Sequence, residues 1–274
     1  MAAQITLGNK EVNLIRSLRK QGVTVPDSVE DELKTYESVL GASRNATETL
    51  QSAQAELRTC PASKWDSTLK AFNKAAFEAF TLNINGDNLV GIAAHRLYDA
   101  VSDAVEGWEA EIVDKYNAVV DENRLNDVAQ DLPDFAGQAS MLTLTEAQGK
   151  AVELWRSAAG PLGNLWGLFG RLAVLQDSEV GPRGVDAQGT NLFTSCVLGT
   201  PGSMSAASNA AQIMVSADAG NTGARAYGPL MPHVIPVLCG YALNLSTVKE
   251  AQAIRASLAG SSQGLAPVTQ MNYR

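Results

Sequence analysis

The sequence predicts a mainly α-helical fold: a helical bundle with a long amphipathic helix, followed by a Gly/Ala/Ser-rich mixed or irregular region and a C-terminal helix. Three observations predict it. Apolar residues recur at three- and four-residue spacing through most of residues 10–130. Helix stops and starts punctuate those runs, at Gly22, Pro26, Cys60-Pro61 and Gly160-Pro161. Charge is concentrated in the first half, where residues 1–137 hold 22 acids and 13 bases against 7 and 8 in residues 138–274. That step divides the chain into an acidic helical domain, 1–137, and a low-charge, small-residue-rich assembly region, 138–274.

Leu14, Ile15 and Leu18 share one face of a first helix, near 10–21, which Gly22 ends. A second helix, near 28–58, follows Pro26 with Asp27 or Ser28 as cap and Glu30, Asp31 and Glu32 at its positive end. Val29, Leu33, Tyr36, Leu40, Ser43, Thr47, Leu50, Gln54 and Leu57 keep a 4–3 spacing along it. Such a seam with a polar middle reads as a helix packed in a bundle rather than a free coiled coil. Ser63 opens a third helix, near 63–80, with the stripe Trp65, Leu69, Phe72, Ala76 and Phe80. A fourth, near 89–130, places Leu97, Val101, Val105, Trp108, Ile112, Tyr116 and Val119 on one face and is expected to bury them. Unbroken it would run ~60 Å at ~1.5 Å per residue, so it is expected to project or to break, with Gly107 the weak point.

Beyond it, Thr145 caps a helix near 145–159 that Gly160-Pro161 stops, and Pro161 opens the next, near 162–176. Residues 185–220 are the place for any strand, with 191–198 the first choice and 205–217 readable either way. Pro232 and Pro236 argue against regular structure at the start of 230–245. Thr247 and Glu250 form a capping box for a last helix, near 247–259, ended by Gly260.

Composition removes several classes. No apolar run approaches the length of a membrane span, and the N-terminal residues lack the order of a signal peptide. Cys60, Cys196 and Cys239 are odd in number and widely spaced, so they read as reduced thiols of a cytoplasmic product. A Gly-x-Ser-x-Gly string at 260–264 follows a helix instead of a strand and has no histidine after it, so it reads as a helix end. Asn83, Asn85 and Asp87 imitate a calcium loop, but Asn88 and Ala94 stand where it needs glycine and a carboxylate. There is no phosphate-binding glycine loop and no zinc spacing, so no metal or cofactor is expected. Only His95 and His233 could serve as histidine bases, and neither has a catalytic context.

Two features remain. Asp99, Asp103, Glu106, Glu109 and Asp114 head a run of eleven acids and two bases over residues 99–134, read as the wet face of a helix or a dock for a basic partner. In 161–175, Gly163, Gly167 and Gly170 alternate with Leu162, Leu165, Trp166, Leu168, Phe169 and Leu172. Apolar groups surround that helix, so it is expected to be buried all round, with no room for a charge at Gly167. Leu162, Gly163, Trp166, Gly167, Phe169 and Gly170, with Met271 and Tyr273, are the candidate interface residues. The function expected is a non-enzymatic structural subunit of a homo-oligomer, a capsid, coat or head–tail component of a virion, bound to copies of itself and to other virion proteins. Nucleic acid is allowed as a partner but not indicated by charge, and no membrane partner is expected. The alternatives are a hydrolase-type enzyme with a pocket in 180–245, using Asp186, Ser195, Cys196, Ser203, Asp218, Arg225 or His233, and an acidic helical adaptor.

Overall fold

The computed structural model describes residues 2–83, 89–133, 144–178, 180, 192–218 and 230–262. Their regular elements are α1 (Ala2–Lys20), α2 (Asp27–Thr59), α3 (Trp65–Asn83), α4 (Leu89–Glu122), α5 (Glu146–Leu175), α6 (Leu192–Val197), α7 (Met204–Asp218), α8 (Met231–Leu238) and α9 (Val248–Ser262). Short 3-10 turns lie at Ala62–Lys64 and Ala129–Asp131. The fold is mainly α, and among the described residues the only β pairing is an isolated bridge between Gly199 and Leu243. Contacts divide the chain within α4, into Met1–Glu106 and Gly107–Arg274.

In the first unit, Ile15, Leu18, Val29, Leu33, Leu97 and Val101 form the core. The Tyr36 ring lies against the backbone of Gly8, where a Cβ would fall 2.3 Å from its Cζ. Arg19 pairs with Glu30 and Arg96 with Glu32, both where solvent reaches, so they fix geometry more than they stabilise. The seam between α2 and α3 is built from small groups: Ser43, Ala46, Thr68, Ala75 and Ala79 are buried.

One backbone device ends four helices. At Gly22 the Val23 N–H reaches the Leu18 carbonyl and the Gly22 N–H the Arg19 carbonyl, with Gly22 at φ 67°. Leu125→Val120 and Arg124→Asp121 repeat the pattern after α4, Ser178→Ala173 and Asp177→Val174 after α5, and Tyr241→Pro236 and Gly240→Val237 after α8. Glycine occupies the left-handed position at 22 and 240, but Arg124 (φ 53°) and Asp177 (φ 52°) hold it at the other two. A left-handed non-glycine costs ~1–2 kcal/mol, so Arg124→Gly is expected to stabilise the second unit by about 1 kcal/mol, read as a raised denaturation midpoint. No change would mean that its exposed pairing with Asp127 offsets the strain.

The second unit is organised around the extended segment 242–247. On one edge, the Asn244 N–H donates to the Leu198 carbonyl and the Ser246 N–H to the Val197 carbonyl. On the other, two asparagine side chains stand in for a neighbouring strand. Asn117 donates to the Leu245 carbonyl at 2.9 Å and accepts its N–H at 2.8 Å. Asn126 does the same for Leu243, at 3.0 and 2.9 Å. Leu243 and Leu245 are buried, so these side chains satisfy peptide groups that water cannot reach. Gly199 is required at the bridge, because a Cβ there would fall 2.7 Å from the Ala242 carbonyl oxygen.

Several expectations are corrected. Helix α1 begins at Ala2, and α2 takes Pro26 as N-cap, its carbonyl accepting from Val29 and Glu30, so Asp27 is already helical. Helix α4 is unbroken at Gly107 and stops at Glu122, short of 130. Gly160-Pro161 does not stop a helix: α5 runs from a Thr145–Gln148 capping box to Leu175. Proline removes one hydrogen bond, to the carbonyl of exposed Ser157, while buried Ala158, Leu162 and Leu165 hold the axis on course. The strand expected at 191–198 is the helix α6, buried at all six positions, where periodicity cannot separate the two structures. Residues 204–218 are helical as well. Both prolines of 230–245 lie in α8, Pro232 in the first turn where its missing N–H costs nothing. Helix α9 keeps the Thr247–Glu250 box and continues through Gly260 to Ser262.

Candidate functional site: exposed helix faces and a buried histidine

The expected interface residues of α5 separate into two sets. Leu162 and Phe169 are fully buried in the core of the second unit and are not offered to another chain. Gly163 and Gly167 are exposed and a Cβ at either meets nothing within 4 Å, so α5 is not buried all round and Gly167 has room for a side chain. The sequence reading failed because the glycines occupy the solvent face. Half-buried Trp166 stacks on Phe169 at 5.9 Å, and a Cβ on Gly170 would make ordinary contact with Val180. Met271 and Tyr273 lie outside the described residues.

Of the acidic face, Asp99, Asp103, Glu106 and Asp114 are exposed. Glu109 is not: it is buried, and its Oε1 accepts the Val248 N–H at 2.7 Å, at the positive end of α9. Its spacing belongs to the wet face, but a helix distant in sequence takes its carboxylate.

Of the residues available to a hydrolytic site, those described are placed as follows. His233, on α8, is 1% exposed, and its Nδ1 lies 2.7 Å from the Tyr116 hydroxyl. Burial drives the phenol pKa well up and holds the imidazole down at about 4. With the phenol protonated, we assign it as donor to Nδ1, which leaves the ring proton on Nε2. Trp166 meets the imidazole edge-on at 6.2 Å. Ser195 Oγ donates to the Ala207 carbonyl at 3.0 Å. Burial pushes the Cys196 thiol up to about 11 and raises Cys239, so neither is primed as a thiolate. Ser203 accepts from the Ala206 N–H at the start of α7. Asp186 and Arg225 lie outside the described residues, as does the Asp218 side chain. Among the described residues, no cluster of three or more His, Cys, Asp or Glu could hold a metal ion. In the same set, no helix is long and apolar enough to cross a membrane.

Among the described residues, the large aromatic groups left in solvent lie in the first unit, while the second exposes Val174, Val215 and Leu238 singly. On α3, Trp65 is 47% exposed, Phe77 68% and Phe80 63%. Leu89 and Ile92, at the start of α4, are exposed too. Periodicity puts Trp65, Phe72 and Phe80 on one stripe and expects Trp65 and Phe72 to be covered, in the core or at an interface. The stripe exists, but the buried contact is made by Thr68, Ala75 and Ala79, on the adjoining face of the same helix. No sequence signal separates a stripe buried within a chain from one left for a partner. Comparison with family models, curated proteins and solved structures finds no match to this chain.

Proposed function

We propose that the chain is a non-enzymatic structural subunit that acts by binding copies of itself. The observation that carries this reading is the group of large apolar side chains exposed between Trp65 and Ile92. Isolated exposed apolar residues are ordinary, but several aromatic groups on one helix mark an interaction surface. Support comes also from His233, Ser195 and Cys196, whose polar atoms are engaged in or enclosed by the core. A virus particle is the setting we name for such a subunit, on its charge-poor second half, and the self-association reading does not depend on that setting. Sedimentation velocity of the full chain over a broad concentration range tests it. A mass that rises with concentration to a defined multiple is expected, and a monomer throughout would overturn the reading.

A further inference from the structure

We infer that the α2–α3 hairpin docks on the same hairpin of a second copy about a two-fold axis, so that two open two-helix layers close into one four-helix layer. The inference rests on the self-association reading and names its contact.

The hairpin leaves an apolar face uncovered. A helix with an apolar stripe must bury it against another element. Trp65, Leu69, Phe72, Ala76 and Phe80 follow one another at steps of four, three, four and four, the spacing of a bundle seam. Within the chain, α3 meets α2 through the small residues of the adjoining face, and Trp65 and Phe80 stay exposed while Leu69, Phe72 and Ala76 are half-covered. Across the seam, Leu50 and Leu57 of α2 are half-covered as well. A groove of about 480 Å³ lined by Asn45, Ala46, Thr49, Glu78 and Thr81 runs between the two helices, so the layer is loosely closed.

The area favours a second copy as the occupant. Aromatic side chains bury ~150–250 Å² each, so Trp65, Phe77 and Phe80 at their observed exposures offer roughly 350 Å² together. A two-fold contact uses the patch twice and reaches roughly 700 Å² from these three residues alone. With Leu69, Phe72 and Ala76 added, it approaches the ~1,000 Å² that a specific interface needs. Charge points the same way. The chain carries a net charge of -8, which sets most faces of two copies against each other. Helix α3 exposes Asp66, Lys70, Lys74 and Glu78, two charges of each sign, and so meets its own copy without net repulsion. A strongly basic or acidic partner finds no complementary rim there.

The test compares full-length variants by sedimentation velocity, with far-UV circular dichroism as the check on folding. Trp65→Glu and Phe80→Glu place a charge on side chains already in solvent, so the fold is retained. Each is expected to raise the dissociation constant at least ~30-fold, as loss of an interface hot spot does. Phe80→Leu keeps the apolar contact and is expected to rescue most of the affinity. Val174→Glu, on an exposed site of the second unit, is expected to leave it unchanged. A wild-type oligomer unmoved by both α3 variants would overturn this inference and leave the self-association reading standing. Loss of assembly in Val174→Glu alone would do the same. A wild-type monomer would overturn both.

Discussion

Replacing Asn117 by aspartate is expected to destabilise the second unit by ~1–3 kcal/mol. The carboxylate still accepts the Leu245 N–H, but the shorter of the two donors to the Leu245 carbonyl is gone and an oxygen now faces an oxygen. That carbonyl belongs to a buried residue and is left with only the longer bond from Asn244 Nδ2, at 3.4 Å, so much of its desolvation goes uncompensated. Asn126→Asp is expected to act in the same way at Leu243, and because both changes loosen one segment, their costs should not add. Tryptophan fluorescence in denaturant reads the effect directly: Trp108, Trp155 and Trp166 belong to the second unit, and a Trp65→Phe background silences the first. A loss under ~0.5 kcal/mol, the range of ordinary surface changes, would mean that the backbone pairing to Val197 and Leu198 holds the segment alone.

The second large effect is a dependence on acid. His233 is held near pKa 4 in the folded chain, against an ordinary value of 6.5. Its contribution is therefore fully present above pH 6.5 and is lost as pH falls towards 4, because the unfolded chain binds a proton that the folded core refuses. The total is about 3 kcal/mol. Glu11, a buried carboxyl of the first unit whose pKa burial raises, works in the opposite direction, so the histidine must be isolated by difference. His233→Phe should flatten the pH profile of the second unit between 6.5 and 4 relative to the parent. Parallel profiles would show that His233 takes up its proton in the native core as readily as in the unfolded chain, contrary to its surroundings.

These two sites were invisible in the sequence for one reason. Tyr116 and His233 are separated by 117 positions, Asn117 and Leu245 by 128, and neither pairing leaves a periodic or motif signal. Glu109 shows the cost: helical spacing assigns it to the solvent face with Asp103 and Glu106, and only the approach of α9 buries it. Local signals were legible where they are chemically specific. Gly22 ends α1 by the mechanism its identity suggests, and Thr145 and the Thr247–Glu250 box cap the helices they precede. The same stop written with Arg124 or Asp177 has no signature, so the end of α4 was placed too late. Gly160-Pro161 misleads in the other direction, because a proline whose orphaned carbonyl faces water does not break a helix packed along one side. The stripe on α3 is legible as a stripe, but apolar spacing specifies that a face will be covered and not by which chain.

Hydrogen exchange at two protein concentrations, one below and one above the onset of association, tests the central claim most directly. The account predicts that amides of 65–83 gain protection at the higher concentration, with a smaller gain in the facing half of α2. The buried amides of α5 should exchange alike in both. Protection gained along α5 while 65–83 stays unchanged, or no gain anywhere while the protein remains a monomer, would contradict it.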